Sequence, residues 1–434
     1  MVSETRPSIT EADRRASLSM EWDRLVEQVR ELDRFKDFLR PLRLDALLPV
    51  ARHGPVAVIN ISEWRCDALV VGTSQVQVVE LQHVTATLVA GHVQAYLQVL
   101  HQVDQAVQEL HEARRGYDGG EHTLAAITAY TQAKQTVLAA YHARDETLST
   151  ILGLLWDEIA EPVLSFLGFR GTPGDGEPRP RLWWCPTGLL TLLPLHAAGR
   201  YDASGQPAGD AVPDRVVSSY TPTLRALLEA RQPRSLPPGD ERLLVVALAE
   251  TAGQVPLDGA DRDRDLLASM FGDRCTLLQG ADATWQPVRD MLPRHRWVHF
   301  SCHGGQDLMN PTRGGLLLHD RLLTIADIGT GRYRGEFAFL SACQTATGGV
   351  GLPDEAITLA AAMHYAGYRH VIGTLWSVYD QTASDVAEAV YGDLTLSGRF
   401  EPAGSAQALH SAIQGLREQG MPASAWVPFI HTGP

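Results

Sequence analysis

Two segments of this sequence decide its fold, WVHFSCHGG at 297–305 and FAFLSACQTATGG at 337–349. In each segment a short apolar run leads into a chemically reactive residue, His303 in the first and Cys343 in the second. Short apolar runs bounded by turn residues are typical of buried strands in a parallel sheet. The carboxyl ends of parallel strands meet at one edge of the sheet, so we predict that both side chains emerge at that edge.

A thiol beside an imidazole suits nucleophilic chemistry. The thiol attacks at neutral pH when a nearby imidazole or positive dipole lowers its pKa, and the imidazole can then protonate a leaving amine. Neighbouring glycines allow close backbone approach and leave amides for an oxyanion hole, with Gly304 as the candidate donor. Alone, Cys343 could be a buried small residue and His303 a satisfied core or capping residue. Their joint context, with His-Gly about 40 residues before Ala-Cys-Gln, favours a catalytic pair.

Beyond about residue 241, short apolar runs alternate with amphipathic segments. This alternation predicts crossover connections and a mostly parallel α/β sheet flanked by helices on both faces. We predict strands at 243–249, 274–279, 297–303, 337–343, 369–376 and 427–431, and helices at 261–271, 284–292, 354–367, 381–395 and 405–418.

The chain begins with a charged segment of helical pattern at 1–45, which we interpret as a docking or oligomerisation arm. Three runs rich in Val and Ile follow, at 55–61, 65–72 and 76–81, and they predict a meander of strands.

A helical insertion is predicted at about 83–167, where apolar residues recur at spacings of three and four. Glycines at 116–120 interrupt the run, and further helices are predicted at 123–144 and 147–166. Helices that cover the sheet are favoured over a coiled coil that binds a partner, because no heptad is sustained.

The Pro-rich segment RQPRSLPPGDE at 231–241 is the clearest domain boundary. It divides the chain into the arm at 1–45, a middle region at 46–240 that contains the insertion, and a final domain at 241–434. More than one domain fits a length of 434 residues, because a single core stops growing at about 250–300 residues.

Composition excludes several classes of function. The net charge is −14, and Lys36 and Lys134 are the only lysines, so no basic face for direct nucleic-acid binding is expected. No apolar run approaches the roughly 20 residues that span a bilayer, and the N-terminus lacks a secretory signal, so we expect a cytoplasmic protein with no membrane segment. Five cysteines without close pairs are expected to be reduced thiols.

No metal or cofactor is expected. Cys302 next to His303 is one adjacent pair, and a zinc site needs a second pair at ligand spacing. The GGVG run at 348–351 lacks the Gly-Lys-Ser/Thr ending of a phosphate loop. Motifs of serine hydrolases, zinc proteases and dinucleotide-binding enzymes do not occur.

Several stretches together carry a resemblance to the CHAT domain, a caspase-like family related to separase. They are HFSCHGG at 299–305, GGLLLHDRLLTIADI at 314–328, FLSACQTATGG at 339–349, LPDEAITLAAAMHYAGYRHVIGTLWSVYD at 352–380 and the terminal WVPFIHTG. Upstream, PTGLLTLLPLHAAG and SSYTPTLRAL are similar to the family's inactive first half. The resemblance implies a caspase-like, mostly parallel sheet flanked by helices, with an inactive caspase-like half before the catalytic domain.

The same resemblance implies a cysteine endopeptidase that cuts a protein substrate, with His303 as general base and Cys343 as nucleophile. A peptidase of this type loose in the cytoplasm would be harmful, so we expect an enzyme that stays latent until signalled, and the resemblance suggests a defence or cell-death type of pathway. Ser341 and Thr345 depart from the caspase signature, so the chain is not a true caspase. Many relatives carry TPR arrays that do not occur in this chain. We therefore expect regulation to come either from a separate regulatory or sensor protein or from the first 170 residues. The rival hypothesis is a non-catalytic caspase-like module that docks partner proteins.

Two further residues are candidates for substrate binding. Asp380 could accept a basic side chain in the first specificity pocket, as acidic groups do in arginine-preferring relatives. The alternative makes Asp380 the N-cap of the helix that starts near Gln381, and this is favoured because Asp is common before helices. Trp376 could shape the same pocket or belong to the core.

Overall fold

The structure is a computed structural model that describes residues 11–32, 35, 38–40, 42–118, 123–174, 176–202, 207–234, 241–305, 310–342 and 358–434. The chain divides into two compact units, one ending at Leu47 and one running from Leu48 to Pro434. The first unit contains helices α1 (Glu11–Arg30) and α2 (Leu44–Leu47).

The second unit is built on a large sheet. Its strands and those of two small sheets are, in chain order, β1 (Val56–Asn60), β2 (Asp67–Val71), β3 (Val76–Glu80), β4 (Arg181–Pro186), β5 (Gly199–Tyr201), β6 (Pro207–Ala211), β7 (Val217–Tyr220), β8 (Leu243–Ala247), β9 (Cys275–Gln279), β10 (Trp297–Ser301), β11 (Gly304–Gly305), β12 (Gly315–Leu317), β13 (Leu322–Thr324), β14 (Phe337–Ser341), β15 (His370–Thr374) and β16 (Phe429–Thr432).

Helices pack around this sheet. They are α3 (Ala86–Asp118), α4 (Leu124–Leu155), α5 (Glu161–Phe166), α6 (Val212–Arg215), α7 (Leu224–Ala230), α8 (Asp258–Phe271), α9 (Trp285–Met291), α10 (Ile325–Gly329), α11 (Leu359–Ala366), α12 (Asp380–Leu394), α13 (Ser405–Glu418) and α14 (Ala423–Trp426). None of the helices in the described part of the chain is both long and apolar enough to cross a membrane.

Within the described residues, the large sheet has eleven strands in the order β3-β2-β1-β4-β7-β16-β15-β14-β10-β8-β9. The run from β9 to β15 is parallel, and so is the run β1-β4-β7. Strand β16 joins the two runs, antiparallel to β15 and parallel to β7. Strands β1, β2 and β3 form the predicted antiparallel meander. The α/β class with a mostly parallel sheet is therefore confirmed.

The central strands are buried on both faces, which explains their composition. Every residue of β8, β10 and β15 is buried, and their sequences LLVVA, WVHFS and HVIGT are mostly apolar. Parallel sheets covered by helices on both sides require such continuous apolar strands, because neither face meets water.

The helical insertion differs in detail from its prediction. Helix α3 continues through Gly116 to Asp118, and α4 runs unbroken from Leu124 to Leu155 where two helices are predicted. A glycine in an exposed helix costs only about 1 kcal/mol, which the α3–α4 packing can offset. A π-helical turn at Trp156–Ala160 then leads into α5.

A buried polar cluster anchors strand β10 to the helices beneath it. Asp263 of α8 accepts hydrogen bonds from His299 Nε2, at 3.2 Å, and from the Ser301 hydroxyl, at 2.9 Å. The Tyr391 hydroxyl of α12 lies 3.3 Å from His299 Nδ1. Burial alone would raise the pKa of Asp263, but the hydrogen bonds, led by that from His299, outweigh burial and hold the pKa below its usual range. The carboxylate therefore stays charged and ties α8 to β10.

A second buried row of polar side chains crosses the junction between the two runs of strands. Arg181 of β4 donates to the Ser219 hydroxyl of β7 at 2.7 Å, and that hydroxyl lies 2.8 Å from His431 Nδ1 on β16. His431 Nε2 in turn lies 3.2 Å from His370 Nδ1 on β15. The row links four neighbouring strands by side chains in addition to their backbone pairing.

The Asp263 cluster predicts a large loss of stability when the carboxylate is removed. In the Asp263→Ala variant, His299 and Ser301 stay buried without their acceptor, and the free energy of unfolding should fall by about 3–5 kcal/mol. Urea unfolding followed by circular dichroism measures the change. Asp265→Ala on the same helix is the control and should change stability little, because Asp265 pairs with Arg264 at an exposed position. Equal losses in the two variants would contradict the proposed role of the cluster.

Buried histidines predict that the folded state weakens in acid. Burial lowers the pKa of His410 to about 4, and likewise of His196 and His364, and lowers that of His370 to about 3. An unfolded histidine titrates at about 6.5. Between about pH 6.5 and 4 the unfolded chain binds more protons, so each such histidine lowers the unfolding free energy by up to about 1.4 kcal/mol per pH unit as the pH falls.

Urea unfolding at pH 7.5 and pH 5 checks this prediction. Between pH 7.5 and pH 5 the unfolding free energy of the His410→Gln variant should fall less than that of the wild-type chain. The reason is that the unfolded variant binds about one proton fewer over this range. His53→Gln, at an exposed position, is the control. An unchanged pH dependence in His410→Gln would refute the assignment.

Candidate active site

The two strands that precede the candidate catalytic residues are direct neighbours. Strands β10 and β14 are parallel and in register, with Ser301 paired to Ser341. His303 lies two residues beyond Ser301. Cys343, two residues beyond Ser341 in sequence, lies outside the described residues, as do Gln344 and the GGVG run. The structure therefore describes the histidine side of the predicted pair and the strand that leads to the cysteine.

The imidazole of His303 is oriented by a backbone carbonyl. Its Nε2 atom lies 2.8 Å from the carbonyl oxygen of Val255, in the segment that follows β8. A carbonyl oxygen only accepts, so Nε2 carries a proton, and in the neutral imidazole Nδ1 then has the lone pair. Sequence reasoning missed Val255, and no signal could have revealed it, because a backbone carbonyl is common to every residue type.

The residues after His303 join a small sheet. Gly304–Gly305 pairs with β12, and the His303 carbonyl accepts a hydrogen bond from Leu317 at 2.8 Å. Strand β13 completes this sheet, and a Cβ on Gly315 would lie 2.2 Å from the Leu323 carbonyl oxygen, so glycine is required there. The sheet holds the backbone of Gly304, the candidate oxyanion donor, directly beside His303.

The polar cluster of Asp263, His299 and Ser301 lies at β10, the strand that leads to His303. Sequence reasoning treated this strand as an apolar run and missed the cluster. A signal was present, because His299 and Ser301 are two residues apart in a strand and so share one face. Polar residues on one face of a buried strand indicate a buried polar partner.

Asp380 caps a helix other than its own. It is the first residue of α12, whose N-cap residue is Tyr379, and its carboxylate accepts a hydrogen bond from the Gly259 amide of α8 at 2.5 Å. Burial raises the pKa of Asp380, an effect that the Gly259 hydrogen bond and the nearby His303 partly offset. Asp380 is therefore near His303, half-buried, and hydrogen-bonded to backbone.

Trp376 lies in the core. Its side chain is 1% exposed, and its ring packs edge-on against Tyr96 of α3 with the ring centroids 5.1 Å apart. This position fits the core alternative, and direct contact with a substrate would require the ring to be uncovered.

Cys302 is also buried, at 1% exposed, and belongs to the apolar core. Within the described residues, no group of three or more His, Cys, Asp or Glu side chains is arranged to hold a metal ion.

The fold is similar to that of separase from Saccharomyces cerevisiae. Two crystal structures of the separase–securin complex superpose with TM-scores of 0.57 and 0.54, each at 10% sequence identity and covering 90% of this chain. They cover 31% and 30% of the separase chain, so this chain spans about a third of the length of separase. The complex of Porphyromonas gingivalis RgpB pro- and mature domains gives a TM-score of 0.43 at 11% identity, over 64% of this chain and 69% of that one.

Sequence comparison identifies the family. No curated protein matches the chain. The family model of the CHAT domain matches residues 149–434, which are 286 of the 434 residues. This match begins within α4, so it includes part of the first half as well as the domain that carries His303. The resemblance seen in the sequence motifs is thus confirmed, and the chain belongs to the CHAT domain family.

Proposed function

We propose that the chain is a cysteine endopeptidase in which Cys343 is the nucleophile and His303 the general base. The observation that carries this proposal is the register of β10 and β14, because each residue follows by two positions one member of the Ser301–Ser341 pair. Neighbouring strands lie about 4.8 Å apart, so side chains on the segments that directly follow them can come into contact. The Val255 carbonyl supports the proposal, since it leaves His303 Nδ1 free to accept a proton.

In the proposed reaction, His303 Nδ1 takes the thiol proton of Cys343 and the sulfur attacks the carbonyl carbon of the scissile peptide bond. The C–S bond forms, the C–N bond breaks, and the imidazolium returns its proton to the leaving amine. Water, deprotonated by His303, then hydrolyses the thioester and restores the thiol. The Gly304 amide would stabilise the oxyanion of both tetrahedral intermediates.

The proposal includes a protein substrate and control by a partner. An unrestrained endopeptidase in the cytoplasm would be harmful, so the resting enzyme is proposed to be latent until a regulatory or sensor protein signals. The separase structures contain a second protein, securin, which makes a protein partner a reasonable expectation for this relative. A defence or cell-death pathway is the context that the family suggests, by analogy of fold.

A proteome-wide profile of new N-termini tests the peptidase. Lysate treated with the wild-type chain should gain cuts that are absent with Cys343→Ala and with His303→Ala, because each variant lacks one half of the thiol–imidazole pair. The loss should be at least about 10³-fold in rate. Cys275→Ala is the matched control and should leave the cuts unchanged. Cuts that persist in the Cys343→Ala variant would refute the proposal.

Thiol labelling separates a latent enzyme from a docking module. Burial raises the pKa of Cys185 to about 12 and of Cys275 to about 11, so these thiols should react slowly with iodoacetamide at pH 7.5. Cys343 should react far faster, and the His303→Ala variant should slow it to the rate of the others. Fast labelling without cuts in lysate indicates a missing activator. Slow labelling of Cys343 would instead favour the non-catalytic docking module.

A further inference from the structure

The amino end of α8 is held by a residue from another helix. The residue at its N-cap position, Leu257, makes no side-chain hydrogen bond to the helix, although the first amides of a helix lack partners within it. The Asp380 carboxylate supplies one by accepting the Gly259 amide at 2.5 Å, across 121 residues of sequence. Ser384, one turn further along α12, donates to the Gly259 carbonyl at 3.2 Å. Both the amide and the carbonyl of Gly259 are thus hydrogen-bonded to α12.

Glycine is required at this contact because the two helices approach closely. A Cβ on Gly259 would lie 2.5 Å from Asp380 Oδ1 and 2.6 Å from the Ser384 hydroxyl oxygen. Any side chain at this position would displace the carboxylate or separate the helices.

The same contact restrains the carbonyl that orients His303. Val255 lies four residues before Gly259, in the segment that connects β8 to α8. The start of this segment is tied to β10, because the Leu248 amide donates to the Ser301 carbonyl at 2.9 Å. The segment is closed on itself by the Leu257 amide, which donates to the Ala249 carbonyl at 2.8 Å. Asp380 holds the far end, so the Val255 carbonyl lies between two fixed points.

The turn that carries Asp380 is itself held by the α3–α4 hairpin. Arg144 of α4, 4% exposed, donates to the Tyr379 hydroxyl at 3.3 Å and to the Ser424 hydroxyl at 2.7 Å. The Tyr141 and Tyr379 rings meet edge-on with centroids 5.5 Å apart. The helical insertion therefore sets where Asp380 can lie.

We propose that Asp380 is a positioning residue for the candidate active site, acting through Gly259 and the Val255 carbonyl to hold His303 in the Nε2–H tautomer. The proposal rests on the proposed function for its kinetic consequence, but the tautomer itself does not depend on activity. It differs from a role of Asp380 as pocket acid, because it assigns the carboxylate to the Gly259 amide, which Oδ2 already accepts, and not to a basic substrate side chain. Tautomer control matters because only the Nε2–H form leaves Nδ1 able to take the thiol proton.

Two-bond ¹H–¹⁵N NMR of histidine-labelled protein tests the positioning directly. His303 signals are assigned by their loss in His303→Gln. The full-length wild-type chain should show a single Nε2–H tautomer at His303, Asp380→Asn should keep it because the amide oxygen still accepts from Gly259, and Asp380→Ala should show both tautomers. A single Nε2–H tautomer in a folded Asp380→Ala protein would overturn the proposal.

The Gly259→Ala variant attacks the same contact from the opposite side and should give the same tautomer mixture. Gly392→Ala, in the last turn of α12 with no atom within 4 Å of the added Cβ, is the matched control and should behave like wild type. If Gly259→Ala keeps the wild-type tautomer while folding normally, the contact has no bearing on His303 and the proposal fails.

Kinetics on a substrate from the cleavage profile separates positioning from specificity. If Asp380 is a positioning residue, Asp380→Ala should lower kcat roughly 10- to 100-fold and leave KM and the preferred residue before the cut unchanged. Asp380→Asn should retain most of the wild-type kcat. A pocket acid predicts that Asp380→Asn raises KM and abolishes a preference for basic residues, which would overturn the proposal. If the wild-type chain cuts nothing and Cys343 labels slowly, the proposed function fails while the NMR arm still decides the positioning.

Discussion

The in-register pairing of β10 with β14 is the constraint on which the candidate site depends. Parallel strands buried on both faces are apolar throughout, so their hydrophobic pattern alone specifies register weakly. The charged Asp263 carboxylate helps to specify the register, because it accepts its two hydrogen bonds only when His299 and Ser301 face α8. A slip of β10 by one residue would turn both polar side chains to the other face and leave the carboxylate buried without donors. The polar cluster therefore holds β10, the strand that leads to His303, in a single position.

Around that strand, orientation comes from segments distant in sequence. The Val255 carbonyl and the β12–β13 hairpin contact His303 through backbone atoms, and the Asp380 carboxylate of α12 holds the Gly259 amide four residues after Val255. A backbone carbonyl has no side-chain rotamers, so a carbonyl in a segment tied down at both ends can orient an imidazole without the rotamer freedom of a side chain. The α3–α4 hairpin contacts the same region through Tyr379, which connects the first half of the molecule to the candidate site.

The two halves behave as one structure because β16 lies between them. Its pairing with β15 and β7 extends a single sheet across the predicted boundary, and the row from Arg181 to His370 adds side-chain hydrogen bonds over the same junction. Burial lowers the pKa values of the two histidines in this row, His370 and His431, so both are neutral near neutral pH. The first half is therefore tied to the half that contains His303 both by backbone pairing within one sheet and by side-chain hydrogen bonds.

By itself the sequence determined the fold class, the meander, the strands of the large sheet beyond residue 241, and membership of the CHAT domain family, but it did not predict the small sheet of β11, β12 and β13. These follow from local periodicity and from motifs, which are properties of neighbouring residues. Only the tertiary structure decided that Asp380 caps α8 rather than its own helix, that Trp376 packs against Tyr96, and that the Val255 carbonyl orients His303. The physical reason is that a helix amide 121 residues away and a backbone carbonyl are present whatever the residue type. The sequence therefore does not indicate which side chains they contact, and tertiary packing decides it.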